Sequence, residues 1–327
     1  MQGDSSHSCD YSQRYLLLSS WEKGPTFYII GKSDDAIAQT AAYFLNLEES
    51  TLKNNPYLLV RFNRTDFDFR AAGDQCLQRL MDTVPSFQME LNAIKLSVAQ
   101  SVALATRPQP MWLYMSECIF EDKGTAFVDA LKMRTAAFGS LAIDCDALND
   151  ENLKLLLDLE VLDHLELPIL ENDELALLPL TAKVESLDYC IFSASALDTD
   201  LSVLNIVAKK LCLSVGIEDE FFPTDLMVSF WRRVAELGHF LELDIKFYGS
   251  NFELPDYVVQ ELIRAAHSNI NLQVLCLSDC EEEPFWGPYL QKLFNGLKDH
   301  KRLRTLKAAA DQEDFGPNYC FLRAFFS

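Results

Sequence analysis

Nine residues near the end of the chain, LQVLCLSDC at 272–280, place Leu272, Leu275, Leu277 and Cys280 at positions one, four, six and nine. In a strand, alternate side chains share a face. Positions four and six therefore point one way, and three, five and seven the other. The phrase constrains the fold because it recurs. With other apolar residues allowed for Leu, it fits at 110 (Leu113, Met115, Cys118), 138 (Phe138, Leu141, Ile143), 162 (Leu162, Leu165, Leu167, Leu170) and 184 (Val184, Leu187, Tyr189, Phe192). It fits again at 208 (Ala208, Leu211, Leu213), 240 (Phe240, Leu243, Ile245), 272 and 303 (Leu303, Leu306, Ala308). Weaker fits stand at 57 (Tyr57, Val60, Phe62) and 91 (Leu91, Ile94, Leu96). From 110 onward the starts lie 28, 24, 22, 24, 32, 32 and 31 residues apart.

Between the phrases the period changes to that of a helix. FEDKGTAFVDALKMR sets Phe127, Leu131 and Met133 near helical spacing, and NDENLKLLLDLE sets Leu153, Leu156 and Leu157 on one face. PDYVVQELIRAA does the same with Val258, Val259, Leu262 and Ile263, and Pro255 suits a helix start. GPYLQKLFNGLKDH repeats it with Leu290, Leu293, Phe294 and Leu297. Each unit reads as strand, turn and helix. No such unit buries its apolar face alone, so stacked neighbours must build one core. The units around 162 and 184 are short, and LENDELALLPL carries a proline, so an abbreviated helix is expected there.

LQVLCLSDC and LFNGLKDHKRLRTLKAA resemble the leucine-rich-repeat family, in its ribonuclease-inhibitor-like class. The resemblance covers roughly residues 57–327. It implies an α/β solenoid, a horseshoe or arc with a parallel sheet on the concave face and helices on the convex face. Position nine departs from the pattern at Asp146, Gly216 and Tyr248. Where Cys stands there, a small side chain fits the turn beneath the sheet.

The ends read differently. Residues 1–13 are polar, a disordered tail. RYLLLSS and TFYIIGK read as two strands joined by WEKGP, and DDAIAQTAAYFL as a helix capped by Ser33 or Asp34. The segment 14–56 is an N-terminal cap or a divergent first repeat; the alternative is a docking module such as an F-box, although no F-box pattern is evident. At the other end Phe321, Leu322, Phe325 and Phe326 are expected to fold back over the last repeat; the alternatives are an incomplete chain and pairing of this end with another chain.

Composition bounds the partners. With 49 Asp+Glu against 28 Lys+Arg, the net charge of −21 repels nucleic acid and anionic membranes. Nine cysteines without a CxxC pair, several inside apolar runs, fit a reducing compartment, cytoplasmic or nuclear, and lack zinc-ligand spacing. No secretory signal opens the chain, and no apolar run is long enough for a membrane helix.

Catalytic signatures are missing: no phosphate-cradling Gly-rich loop, no GxSxG, no HExxH. His239, His267 and His300 fall near helix ends, which leaves His164 alone at an outward strand position. Across the outward positions, Trp112 and Tyr114 precede Asp144, His164, Glu166 and Asp188, with Glu242 and Asp244 further on. Aromatic anchors beside carboxylates suit a basic, Arg-bearing protein segment. The runs EDEFF at 218–222 and EEEPFW at 281–286 are expected on loops at one rim. The expectation is a monomeric, non-enzymatic scaffold, without cofactor, that binds a protein through the concave face or rim. The alternatives are a substrate-receptor adaptor of a ubiquitin ligase and an inhibitor or regulator of an enzyme or GTPase.

Overall fold

The computed structural model describes residues 13–19, 26–46, 57–64, 67–73, 87–143, 147–170, 175–191, 201–217, 222–248, 254–279 and 286–308. The architecture is mixed α/β, in two compact units, Met1–Asp163 and His164–Ser327.

In the first unit the strands are β1 (Tyr15–Ser19), β2 (Thr26–Ile30), β3 (Tyr57–Phe62), β4 (Phe67–Asp68), β5 (Phe87–Asn92), β6 (Ile94–Leu96), β7 (Met111–Ser116), β8 (Ile119–Phe120) and β9 (Gly139–Ile143). The helices are α1 (Asp34–Asn46), α2 (Val98–Ala105), α3 (Thr125–Lys132) and α4 (Asp150–Leu157). The main sheet runs β2-β1-β3-β5-β7-β9, and β4-β6-β8 form a small parallel sheet. From β3 to β9 the strands are parallel; β1 is antiparallel to both of its neighbours.

The inward residues align strand by strand. Val60, Leu91, Met115 and Ile143 form one row, and Leu58, Met89, Leu113 and Leu141 the next. All eight are buried, as alternation requires. This alignment corrects two sequence offsets. Val60 pairs with Leu91, so the strand at 57 sits two residues from its expected register. The match at 91 straddles two strands, because Ile94 and Leu96 belong to β6 in the small sheet. The chain passes from one sheet to the other through a left-handed residue at equivalent positions, Ala93 (φ 57°) after β5 and Glu117 (φ 52°) after β7. Cys118, at position nine, is buried, and its Sγ donates to the Leu91 carbonyl at 3.3 Å.

Residues 14–46 are built into this unit. β1 bonds to β3, and α1 packs on β1, β2 and β4. The Ser33 hydroxyl accepts from Ala36 N–H at the start of α1. α2 is held by a capping box between Ser97 and Gln100, and buried Gln100 also donates to the Phe69 carbonyl at 3.1 Å. Phe127 and Leu131 of α3 are buried as expected, whereas Met133 falls at the helix end and is 81% exposed. Gly139 opens β9 at φ 105°, where a Cβ would lie 2.3 Å from the Met111 carbonyl oxygen.

In the second unit the strands β10 (Leu162–Leu167), β11 (Ser186–Ile191), β12 (Lys210–Gly216), β13 (Glu242–Tyr248), β14 (Val274–Asp279) and β15 (Thr305–Ala308) lie side by side in chain order, all parallel. Leu187, Leu211, Leu243, Leu275 and Leu306 form one inward row, and Tyr189, Leu213, Ile245, Leu277 and Ala308 the other. The helices are α5 (Thr224–Leu237), α6 (Asp256–Ser268) and α7 (Leu290–Leu297), packed in sequence. In the links from β10 to β11 and from β11 to β12 the described residues hold only 3-10 turns, at Leu178–Thr181 and Leu201–Val203. Pro179 in the first of them removes a helical donor.

Pro255 does stand at the start of α6, as its N-cap. Some details depart from the sequence reading. Gly216 and Tyr248 lie inside their strands, so position nine is not always beyond the sheet. Phe222 and Trp286, at the ends of the two acidic runs, are buried and both lie against Phe247, with ring centroids 5.4 and 6.2 Å away. The acidic residues of those runs, and Phe321, Leu322, Phe325 and Phe326, lie outside the described residues. Among the described residues no helix is long and apolar enough to cross a membrane.

The histidines near helix ends tie neighbouring segments through their Nε2 atoms. His239 reaches the Ala208 carbonyl at 3.2 Å, His267 that of Gly296 at 2.6 Å, and His300 that of Asn269 at 3.2 Å. His300 Nδ1 accepts from Arg302 and Leu303 N–H, so Nε2 carries the ring proton.

Candidate functional site

Each sheet has a face whose side chains are only partly buried, and the expected site residues fall on these faces. In the second unit, strand register gathers five of them into two adjacent rows. The first row reads Glu166, Asp188, Cys212, Asp244, Cys276, Lys307, and the second His164, Ser186, Lys210, Glu242, Val274, Thr305. Neighbours along a row are about 4.8 Å apart, the strand spacing. Trp112 and Tyr114 lie on β7 of the first unit, and Asp144 lies outside the described residues.

The second-unit rows are only partly self-neutralised. Lys210 pairs with Glu242 at 2.7 Å. Both side chains are more than two-fifths exposed, so the pair adds little stability. Lys246, two residues further along β13, lies 3.9 Å from Asp244 Oδ2. Among the described residues, Asp244 Oδ1 is buried and has no hydrogen-bond partner. Burial, then the Asp188 and Asp244 carboxylates, push the Cys212 thiol up to about 12. Burial pulls Lys246 down, but Cys212, Asp244 and Asp188 outweigh it and hold its ammonium above the usual lysine range. At neutral pH, then, Cys212 is held as a thiol and Lys246 as an ammonium. Burial also lowers His164, against the opposing Asp188 carboxylate, and His164 Nδ1 lies 3.0 Å from the Ser186 hydroxyl. A cavity of about 230 Å³ opens on these rows, lined among others by Lys210, Cys212, Glu242, Asp244, Cys276 and Lys307. Among the described residues no group of His, Cys, Asp and Glu side chains is arranged to hold a metal ion.

The face of the first unit has another character. Its outward residues are Thr26, Tyr28 and Ile30 on β2, Tyr15, Leu17 and Ser19 on β1, and Tyr57, Leu59 and Arg61 on β3. Next come Gln88, Glu90 and Asn92 on β5, and Trp112, Tyr114 and Ser116 on β7. Arg61 and Glu90 are the charged side chains on this face, and they pair at 3.5 Å. The Tyr57 hydroxyl donates to Glu90 at 2.7 Å, and burial, then this carboxylate, raises the Tyr57 phenol. Trp112 is 45% exposed and Tyr28 53%. Sequence reasoning found Trp112 and Tyr114 but missed Tyr15, Tyr28 and Tyr57. Their signal was the two-residue alternation of RYLLLSS, TFYIIGK and YLLVRF, which places each tyrosine opposite a buried aliphatic neighbour.

Comparison with protein-family models, with curated proteins and with solved structures finds no match for the chain.

Proposed function

We propose that the chain is a leucine-rich-repeat solenoid that acts as a binding scaffold, and that the open face of its second unit receives a basic segment of a protein partner. The in-register rows of apolar residues, strand after strand in chain order, support the repeat reading. The observation that carries the functional reading is the row Glu166, Asp188, Asp244, in which Asp244 Oδ1 has no donor of its own. A buried acceptor without a donor is costly, and an arginine or lysine from outside supplies one. The carboxylates need no chemistry for this, and the protonated Cys212 offers none at neutral pH.

The docking-module alternative for residues 14–56 is less favoured, because β1 is hydrogen-bonded into the sheet beside β3. That arrangement suits a cap. The test is affinity capture with the full chain followed by identification of what is retained. Glu166→Lys with Asp188→Lys should abolish capture of a partner, and added salt should weaken it. Undiminished capture by the doubly substituted, folded chain would sink the proposal.

A further inference from the structure

We infer that the outer edge of β2 is an interface for a second copy of this chain, the two strands pairing antiparallel about a two-fold axis through Tyr28. β2 ends the sheet of the first unit: it bonds to β1, and among the described residues no strand lies on its other side. An edge strand presents a row of N–H and C=O groups to any extended chain, and soluble proteins blunt such edges with lysine, proline, bulges or brevity. β2 reads TFYII and has no charge, proline or bulge; its pairing with β1 is continuous over five residues. The last strand of the second unit differs, since β15 is four residues long and carries the exposed Lys307.

The side chains around the edge are apolar and exposed. Tyr28 and Ile30 are 53% and 56% exposed, and Tyr43 on α1 is 65% exposed. Phe27 stacks on Phe44 at 5.2 Å, and Tyr43 meets Phe44 edge-on at 5.9 Å, so the apolar surface continues from the strand onto the helix.

The strand itself selects a second copy as the occupant. In a two-fold antiparallel register Tyr28 faces Tyr28 and Thr26 faces Ile30, giving an aromatic pair flanked by two β-branched pairs, the combinations that stabilise antiparallel sheets. The strand adds no local repulsion. Two chains of net charge −21 repel overall, and TFYII brings no carboxylate of its own to the contact. Asp34, just beyond it, is neutralised by Arg14 at 2.7 Å.

Sedimentation of the full chain over a wide range of concentration tests this. The expected result is reversible conversion of the 37.1 kDa chain into a species of twice that mass. Tyr28→Lys sets two ammonium groups across the axis and should weaken self-association by at least about tenfold; Tyr28→Glu should do the same. An equimolar mixture of the two variants should regain the two-chain species, which a folding defect would not permit. Ile30→Lys, at a second exposed position, should also weaken it. A wild-type chain that stays monomeric throughout, a Tyr28→Lys chain that dimerises as well as wild type, or a mixture that fails to pair would each overturn the inference. A monomer that instead captures another protein through β2 would overturn it too, and would assign the edge to a foreign strand.

Discussion

Asn269 is fully buried, and its side chain makes three hydrogen bonds that join two segments of the second unit. Its Oδ1 accepts from Phe240 N–H at 2.9 Å, and its Nδ2 donates to the carbonyls of Val234 at 3.0 Å and Ala265 at 2.8 Å. The carbonyls have other donors: Gly238 N–H reaches Val234, and Asn269 N–H reaches Ala265, each at 3.2 Å. Among the described residues Phe240 N–H has Asn269 alone. Asn269→Ala therefore strands one buried donor, at about 1–3 kcal/mol, and loses two weaker contacts and some packing, for a total of about 2–4 kcal/mol. For a unit of this size that corresponds to a fall in melting temperature on the order of 5–15 °C. Asn269→Asp keeps the acceptor for Phe240 but turns an oxygen toward two carbonyl oxygens. Its carboxylate is disfavoured in the folded state, so its folded pKa lies above the unfolded value of about 3.9. Stability of that variant should be lowest at neutral pH and should recover as pH falls, relative to wild type, because the protonated carboxyl donates where the amide did. Thermal and urea melts of the three proteins at several pH values measure this. An alanine variant within 0.5 kcal/mol of wild type, or an aspartate variant without relative recovery in acid, would refute the reasoning.

Arg134 donates to the carbonyls of Ala105, Arg107 and Ala137, a fan that spans the end of α2; Arg134→Ala should cost about 2 kcal/mol in urea unfolding, and Arg134→Lys should restore less than half, since an ammonium does not reach all three. His164 is held below its ordinary value of 6.5, chiefly by burial, so the unfolded chain binds more protons just below that pH. Stability from this residue is complete above about pH 6.5 and is lost as pH falls through it, and His164→Asn should flatten that part of a stability–pH curve measured by denaturant midpoints. The Cys212 thiol, raised from 9.0 to about 12, should react with iodoacetamide at pH 8 at least about a hundredfold more slowly than an ordinary exposed cysteine. Asp244→Asn should speed that reaction, as peptide-mapped mass spectrometry would record; equal rates in both proteins would show that burial alone protects the thiol.

The inward half of the pattern was legible because burial leaves little choice. A residue that faces the core, such as Leu275 or Leu277, must be apolar, and a two-residue period then tells its neighbours where they point. Helices whose apolar residues recur at three and four, such as α4 and α6, were legible for the same reason. Offsets were harder where apolar residues crowd on both sides of the alternation. YLLVRF and FQMELNAIKL each fit the phrase in more than one frame, and only pairing with β7 decides between them. The small sheet of β4, β6 and β8 left no signal, since two- and three-residue strands carry no period. Sequence spacing placed His164, Glu166, Asp188, Glu242 and Asp244 on one face, and register supplied the rows. That Asp244 keeps an acceptor without a donor depends on side-chain geometry, which no spacing encodes.

The two faces differ at one acid each, Glu90 and Asp244. Glu90, in the first unit, accepts from Tyr57 and pairs with Arg61, so the aromatic surface around it presents little charge. Asp244, in the second, stands between Cys212 and Cys276 in its row. A serine, asparagine or lysine at either cysteine position would bring a strong donor to the carboxylate, whereas a thiol is a weak one. Lys246 approaches only Oδ2, and at 3.9 Å. Among the described residues Asp244 Oδ1 has no hydrogen-bond partner. Under the reading proposed above, a basic segment from outside would supply a donor and offset the cost of the unpaired acceptor.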